Sequence, residues 1–241
     1  MSLNSIPEEN RLICALPLDL EAARTVAHAH HAKINDVVLT VVSGGARELL
    51  RTRGEPTAGM ELTALVPATL RAEQAAGQLG NAVGMYLIQL PVGEPTALGR
   101  LLRIAALTQA ARTEQHPRYL SDLLGIGAAI GVARPFLARQ RMANIFVTDV
   151  PGPPVPCYFL GARIEEAMPL IGPAGNVTLM FAALSYGQRL TILLTASAAA
   201  YPDIDVLVTG MRRSWEDLIG RPAMMATPAF SAQEEIELTS P

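Results

Sequence analysis

The order of elements readable in the sequence predicts an α+β fold: a mixed β-sheet with helices packed mainly on one face. Three observations predict it. Residues 34–54, "INDVVLTVVSGGARELLRTRG", carry apolar side chains at helical spacing in a stripe broad enough for a buried helix. From residue 144 onward the texture turns to short β-rich runs split by Pro and Gly. Neighbouring strands therefore gather late in the chain, helices are scattered between the others, and no internal repeat is present.

"RLICALPLDL" reads as a strand from Leu12 to Leu16, and Asp19 is positioned to cap a helix over "LEAARTVAHAHH". Asn35 or Asp36 can cap the first amides of the next helix. Gly44-Gly45 lowers helix propensity in its middle, so another element is expected to pack very close there. "LTALVPATL" (62–70) and "GMYLIQLPV" (84–92) are expected strands around a Gly-rich polar loop. A helix follows from Thr96 to Gln115, then a weaker one across 119–141. "NIFVTDV", "CYFLGARIEEAMPL", "NVTLMFAALSY" and "RLTILLTAS" supply the late strands, with "YGQRL" (186–190) as a short hairpin. "DIDVLVTGMRRSWEDLI" (203–219) returns to helix with Asp203 as its expected cap. The folded domain is expected to span residues 1–220, and 221–241 to form a mobile tail.

Half of the 241 residues are hydrophobic and only 17% are charged, below the usual quarter. Mean hydropathy is +0.27. No run approaches the roughly 20 apolar residues that cross a bilayer, and the longest candidate, "LLGIGAAIGVA" (123–133), is short and glycine-rich. The apolar excess is therefore core, or an interface with another chain or with lipid. A net charge of −3 without a basic block speaks against nucleic-acid binding. Cys14 and Cys157 make neither a disulfide framework nor a metal spacing, and no secretion signal is visible, so a cytoplasmic setting is expected.

"HAHHAKINDVV" (28–38) invites an acyl-transfer reading, in which a histidine deprotonates a hydroxyl with a supporting carboxylate. The pattern required is His-His-x-x-x-Asp-Gly. Counting from His30-His31, the sixth position is Asn35; Asp36 falls one residue late and Val37 follows it. The spacing fails, and these histidines read as a polar helix end. His28 and His31 could share a helix face toward a metal, but no third ligand is near in sequence. "VSGGA" (42–46) lacks the Gly-x-Ser-x-Gly elbow, and "GQLGNAVG" (77–84) lacks a phosphate-loop lysine. In "VTDVPGPPVP" (147–156) a strand runs into the rigid corner Pro151-Gly152-Pro153-Pro154. That corner is either a strand-ending turn or a stiff wall beside a substrate channel, with Thr148 and Asp149 at its rim.

Taken in order, "INDVVL" (34–39), "VPATLR" (66–71), "GN" (80–81) and "NIFVTDVPGPP" (144–154) resemble the C-terminal half of the bacterial wax ester synthase/diacylglycerol acyltransferase family. "YFLGARI", "LSYGQRLTI" and "YPDIDVL" support the likeness, which runs from about Ser2 to Ile219. The resemblance implies one half of a chloramphenicol-acetyltransferase-like fold, in which two similar halves face each other across a tunnel. It implies fatty acyl-CoA as substrate rather than a resident cofactor, and a fatty alcohol or diacylglycerol as acceptor. The catalytic histidine belongs to the N-terminal half, so no catalytic residue and no metal ligand is expected here. Asn35 and Asp36 match the second-half Asn-Asp motif and would cap a buried helix near the tunnel. Arg71 would anchor the halves or the local fold through charge-assisted bonds. Gly80 and Asn81 would let backbone approach the acyl chain or the partner half. Thr148, Pro151, Gly152 and Pro153 would line the channel. Asp149 departs from the family, which usually has Asn before "VPGP"; a carboxylate there either pairs with a cation or is costly to bury.

The expected partners are an N-terminal half carrying the histidine motif, or a second copy through an apolar face, with peripheral contact to membrane or lipid inclusions. The alternative is a non-catalytic module that binds acyl lipids or another protein.

Overall fold

A computed structural model describes residues 2–4, 10–69, 83–113, 140, 142–172 and 176–220. Its elements are β1 (Arg11–Asp19), α1 (Leu20–Ala29), α2 (Ile34–Thr52), β2 (Leu62–Thr69), β3 (Val83–Leu90), α3 (Ala97–Thr113), β4 (Ile145–Val150), β5 (Tyr158–Phe159), β6 (Ala162–Arg163), β7 (Leu179–Tyr186), β8 (Arg189–Ser197) and α4 (Ile204–Leu218). Six strands make one mixed sheet in the order β1-β8-β7-β4-β2-β3, and β5 with β6 forms a separate hairpin. β4 runs parallel to both β2 and β7, and the remaining pairs are antiparallel.

Alternation along the strands sorts the side chains by face. Leu62, Ala64 and Val66 of β2, Ile145 and Val147 of β4, and Leu179, Phe181 and Ala183 of β7 join one core with α2. β8 contributes Leu190, Ile192, Leu194 and Ala196 to the same layer. The expected one-sided α+β arrangement is thus what the chain adopts.

α2 is buried on every side from Asp36 through Ala46 because the sheet lies on one flank and α4 on the other. The glycine pair makes that contact fit. A Cβ on Gly45 would lie 2.7 Å from the Leu207 carbonyl oxygen, and one on Gly210 would lie 2.6 Å from Glu48 Cβ. The two helices touch backbone to backbone, as the cost of two glycines in mid-helix foretold. At the far end of α2, Arg53 grips Asp203 through Nε at 2.8 Å and Nη2 at 2.6 Å, and donates to the Ala200 carbonyl at 2.9 Å. Its guanidinium also stacks 5.1 Å from the Tyr201 ring centre. Buried Arg100 ties α3 to α4 with a 2.9 Å bond to Ser214 Oγ, and burial lowers its pKa to about 10, still charged at neutral pH.

Several expectations are corrected. Asp203 holds the N-cap position of α4, but its carboxylate makes no capping bond and goes to Arg53 instead, which pulls its pKa down. α2 starts at Ile34, so Asn35 and Asp36 lie inside the helix and Lys33 is its N-cap residue. α1 ends at Ala29 rather than reaching His31, which turns left-handed at φ 52°. β1 runs on to Asp19, because β8 offers it a partner along its whole length. "CYFLGARIEEAMPL" yields only the two-residue strands β5 and β6, closed by Leu160 and Gly161 at positive φ. The expected helix across 119–141 and the tail 221–241 fall outside the described residues.

β1 is an edge strand. Leu20 N–H bonds to the Gln188 carbonyl and Ala198 N–H to the Asn10 carbonyl, so the even-numbered residues of β1 face β8. The odd-numbered ones turn their backbone outward, and among them Pro17 has no N–H to offer.

Because the α2–α4 seam leaves no room for a methyl group, Gly45→Ala is expected to lower stability by about 1–3 kcal/mol, despite alanine's better helix propensity. Thermal unfolding followed by circular dichroism measures it.

Candidate functional site

The sequence motifs gather at one end of the sheet. Arg53, at the C-terminus of α2, bonds to Ser2 and to Ala200 and Asp203 just beyond β8. Asn4, two residues from Ser2, accepts from Asn144 Nδ2 at 2.9 Å, immediately before β4. The end of α2 therefore lies where β4 starts. Its beginning, with Asn35 and Asp36, points toward the end where β4 finishes in Thr148, Asp149 and the Pro151–Pro153 corner. β2 also finishes there, at Thr69.

Asp36 is 2% exposed and fully used. Its carboxylate accepts from the Lys33 backbone N–H at 2.8 Å, reaching back to the residue that opens the helix. It also accepts from Thr108 Oγ1 at 2.8 Å, and Arg112 of α3 stands 3.8 Å away. The Asp36 carbonyl accepts from Thr40 Oγ1 at 2.7 Å. Asp36 thus couples the first turn of α2 to the last turns of α3, and the negative charge near a helix N-terminus is favourable. Asn35, its half-buried neighbour, is held in place by that coupling. Thr108 and Arg112 were not singled out from the sequence; a threonine four residues before an arginine on a partly apolar helix is the only local sign of them.

Thr148 and Asp149 do not share a rim. Asp149 pairs with Ala183 and continues the Ile145, Val147 row on the helical face, whereas Thr148 pairs with Ala182 on the other face. Asp149 is half-buried, and desolvation alone raises its pKa to about 6. It stands at the finishing end of a parallel strand, on the same face as α2.

The corner after β4 is fastened rather than free. Gly152 N–H donates to Ser185 Oγ at 3.1 Å, and Gly187 N–H to the Pro153 carbonyl at 3.3 Å. A Cβ on Gly152 would collide with the Ser185 carbonyl, so only glycine fits between the prolines. Beyond it, Tyr186 Oη accepts from Cys157 N–H at 2.9 Å and donates to the Ile164 carbonyl at 2.7 Å. Both parts of the sequence reading are present: the turn that ends the strand is also a stiff wall. Arg71, Gly80 and Asn81 lie outside the described residues.

His28 and His31 are exposed, His30 is half-buried, and among the described residues no carboxylate bonds any of the three imidazoles. No group of three His, Cys, Asp or Glu side chains among the described residues could hold a metal ion.

Residues 79–218, more than half of the chain, match the model of the WS/DGAT C-terminal domain. An O-acyltransferase of Acinetobacter baylyi is 29% identical over 218 residues, which are 86% of this chain and 46% of the relative. A probable diacylglycerol O-acyltransferase of Mycobacterium tuberculosis is 27% identical over 91% of this chain and 48% of its own length. The chain thus spans about half the length of the curated relatives it matches. Among solved structures, the wax ester synthase/diacylglycerol acyltransferase of Marinobacter aquaeolei shares the fold at a TM-score of 0.72 and 22% identity, over 90% of this chain and 50% of that one. The starter condensation domain of rhizomide synthetase, solved with C8-CoA, shares it at 0.57 and 17% over 90% and 46%.

Two outcomes are expected. Asp36→Ala strands the Thr108 hydroxyl and the Lys33 amide, and is expected to cost about 2–4 kcal/mol in urea unfolding. For Asp149 the folded-state pKa, about 6, lies above the ordinary 3.8. The folded chain then binds the extra proton between those values, so stability falls as pH rises from 4 through 6. Asp149→Asn is expected to remove that slope and to stabilise the isolated chain at pH 7 by up to about 3 kcal/mol, with no gain at pH 4.

Proposed function

The chain belongs to the wax ester synthase/diacylglycerol acyltransferase family through its C-terminal domain, and on that premise we propose that it supplies the non-catalytic half of an O-acyltransferase active site. In this reading a fatty acyl-CoA donates its acyl group to a fatty alcohol or diacylglycerol. The alcohol oxygen bonds to the thioester carbonyl carbon, the C–S bond breaks, and the departing CoA thiolate takes up the proton the alcohol loses. That proton passes through a histidine of an N-terminal half, and this chain contributes walls and scaffold.

One observation carries the reading. The chain aligns with only 46% of the Acinetobacter baylyi relative, through the domain that is C-terminal by description. At the motif-bearing end it presents carboxylates and prolines, with no imidazole bonded to a carboxylate among the described residues. The C8-CoA in the rhizomide synthetase domain supports an acyl thioester as the ligand class. Within the proposal Asp36 and Thr108 keep the start of α2 fixed, and Gly152, bonded to Ser185, keeps the wall after β4 from moving into the channel. No helix among the described residues is long and apolar enough to cross a membrane. Contact with lipid inclusions through the assembled enzyme belongs to the same proposal.

The exposed apolar side chains between Val155 and Leu170 favour a second reading, a binding module without turnover. Acyl-CoA and a long-chain alcohol supplied to the isolated chain, and to the chain fused behind the N-terminal half of the Acinetobacter baylyi relative, separate the two. Ester formation is expected from the fusion and at background level from the chain alone. Saturable acyl-CoA binding by both, with turnover by neither, would favour the binding module. Turnover by the isolated chain that is lost in His30→Ala or His31→Ala would overturn both.

A further inference from the structure

Seven of the twelve large apolar side chains exposed among the described residues fall between 150 and 170. Their centre is the β5–β6 hairpin, where Tyr158 is 66% exposed, Phe159 70% and Leu160 93%. Three such side chains in a row present on the order of 400 Å² of apolar surface, the size at which a patch marks an interaction site. We propose that this arm is where an N-terminal acyltransferase half docks on the chain, with Tyr158, Phe159 and Leu160 buried among apolar side chains of that half. The inference rests on the function proposed above and deepens it by naming the surface.

The arm is built to keep its shape without a partner. The Pro151–Pro154 corner stiffens its approach, Gly152 is bonded to Ser185, and the Tyr186 hydroxyl bridges the Cys157 amide and the Ile164 carbonyl across its base. Leu160 and Gly161, at φ 49° and 83°, make the tight turn that pushes the tip outward. A preformed arm loses little entropy on docking.

Its charges point to a protein partner. Arg163 pairs with Glu165 at 3.6 Å, and Arg189 with Glu166 at 3.8 Å. The cations beside the tip are thus matched by carboxylates of the same arm, whereas a surface that meets anionic lipid keeps Lys and Arg uncompensated. What remains unmatched is apolar area. The curated relatives carry about as much chain again as aligns here, which supplies a partner of the right size.

Hydroxyl-radical footprinting read by mass spectrometry tests this on the full chain, alone and fused behind the N-terminal half of the Acinetobacter baylyi relative. In the fusion, oxidation of Tyr158, Phe159 and Leu160 is expected to fall about fivefold or more, as for residues in an interface core, while exposed Leu98 and Leu102 keep their rates. Phe159→Glu in the fusion is expected to restore oxidation of Tyr158 and to lower ester formation, while leaving the melting temperature of the isolated chain unchanged. An active fusion whose arm is oxidised as fast as in the chain alone overturns the docking surface and leaves the proposed function standing. An inactive fusion with an unprotected arm overturns both. Protection that grows with concentration of the isolated chain assigns the arm to a second copy, and protection that needs phosphatidylcholine vesicles assigns it to a lipid surface; either result overturns the inference.

Discussion

The close approach of α2 and α4 is the constraint on which the rest of the architecture depends. A helix buried on all sides cannot be placed by a hydrophobic stripe alone, because a stripe fixes only the flank that meets the sheet. Here the second flank is fixed by shape: Gly44, Gly45 and Gly210 bring two backbones into contact and leave no alternative register. With the axis of α2 set in this way, Arg53 and Asp203 lock its last turn, and Asp36 and Thr108 lock its first. Both ends of the molecule are thereby referred to one rigid rod.

Three aspartates show how position decides what a carboxylate does. Asp203 is held by a guanidinium, and its pKa falls. Asp36 is more deeply buried, yet a backbone amide and a hydroxyl satisfy it. Asp149 is enclosed with desolvation as the cause of its shift, so its pKa rises. The first two hold elements together. The third is costly to this half of the molecule by itself, which is how a group behaves when its complement lies elsewhere or when its proton is part of its use.

Local chemistry was legible in the sequence wherever it was also decisive. Asp19 caps α1 through the Ala22 amide, as its place before the apolar run implied. The glycine pair announced a crowded helix crossing, and the hairpin at 186–190 closes through Gly187 at φ 58°. The ordered motifs gave the family as well. What could not be read was long-range competition for the same side chain. Asp203 has the sequence signature of a cap, but its partner stands 150 residues away. Asp36 is answered by Thr108, 72 residues away, which no local pattern announces. "CYFLGARIEEAMPL" has the composition of a strand and still forms only two short ones, because strand propensity expresses fit to a half-buried pleated surface, which this arm lacks here. Of the candidate site, Asn35, Asp36, Asp149 and the Pro151–Pro153 corner come to one end of the sheet, and Thr148 turns to the opposite face by the simple two-residue alternation of a strand.

Pro17 carries a consequence for how such molecules can associate. A sheet margin with an uninterrupted row of outward amides is a template on which another ribbon can zip, and then another. In β1 that row is broken near its last turn, at the end that also carries the motifs. Lateral growth is therefore discouraged at the place where a companion has to approach, and contact is left to side-chain surfaces, which saturate after one partner. A finite assembly rather than a filament is what this single imino acid favours.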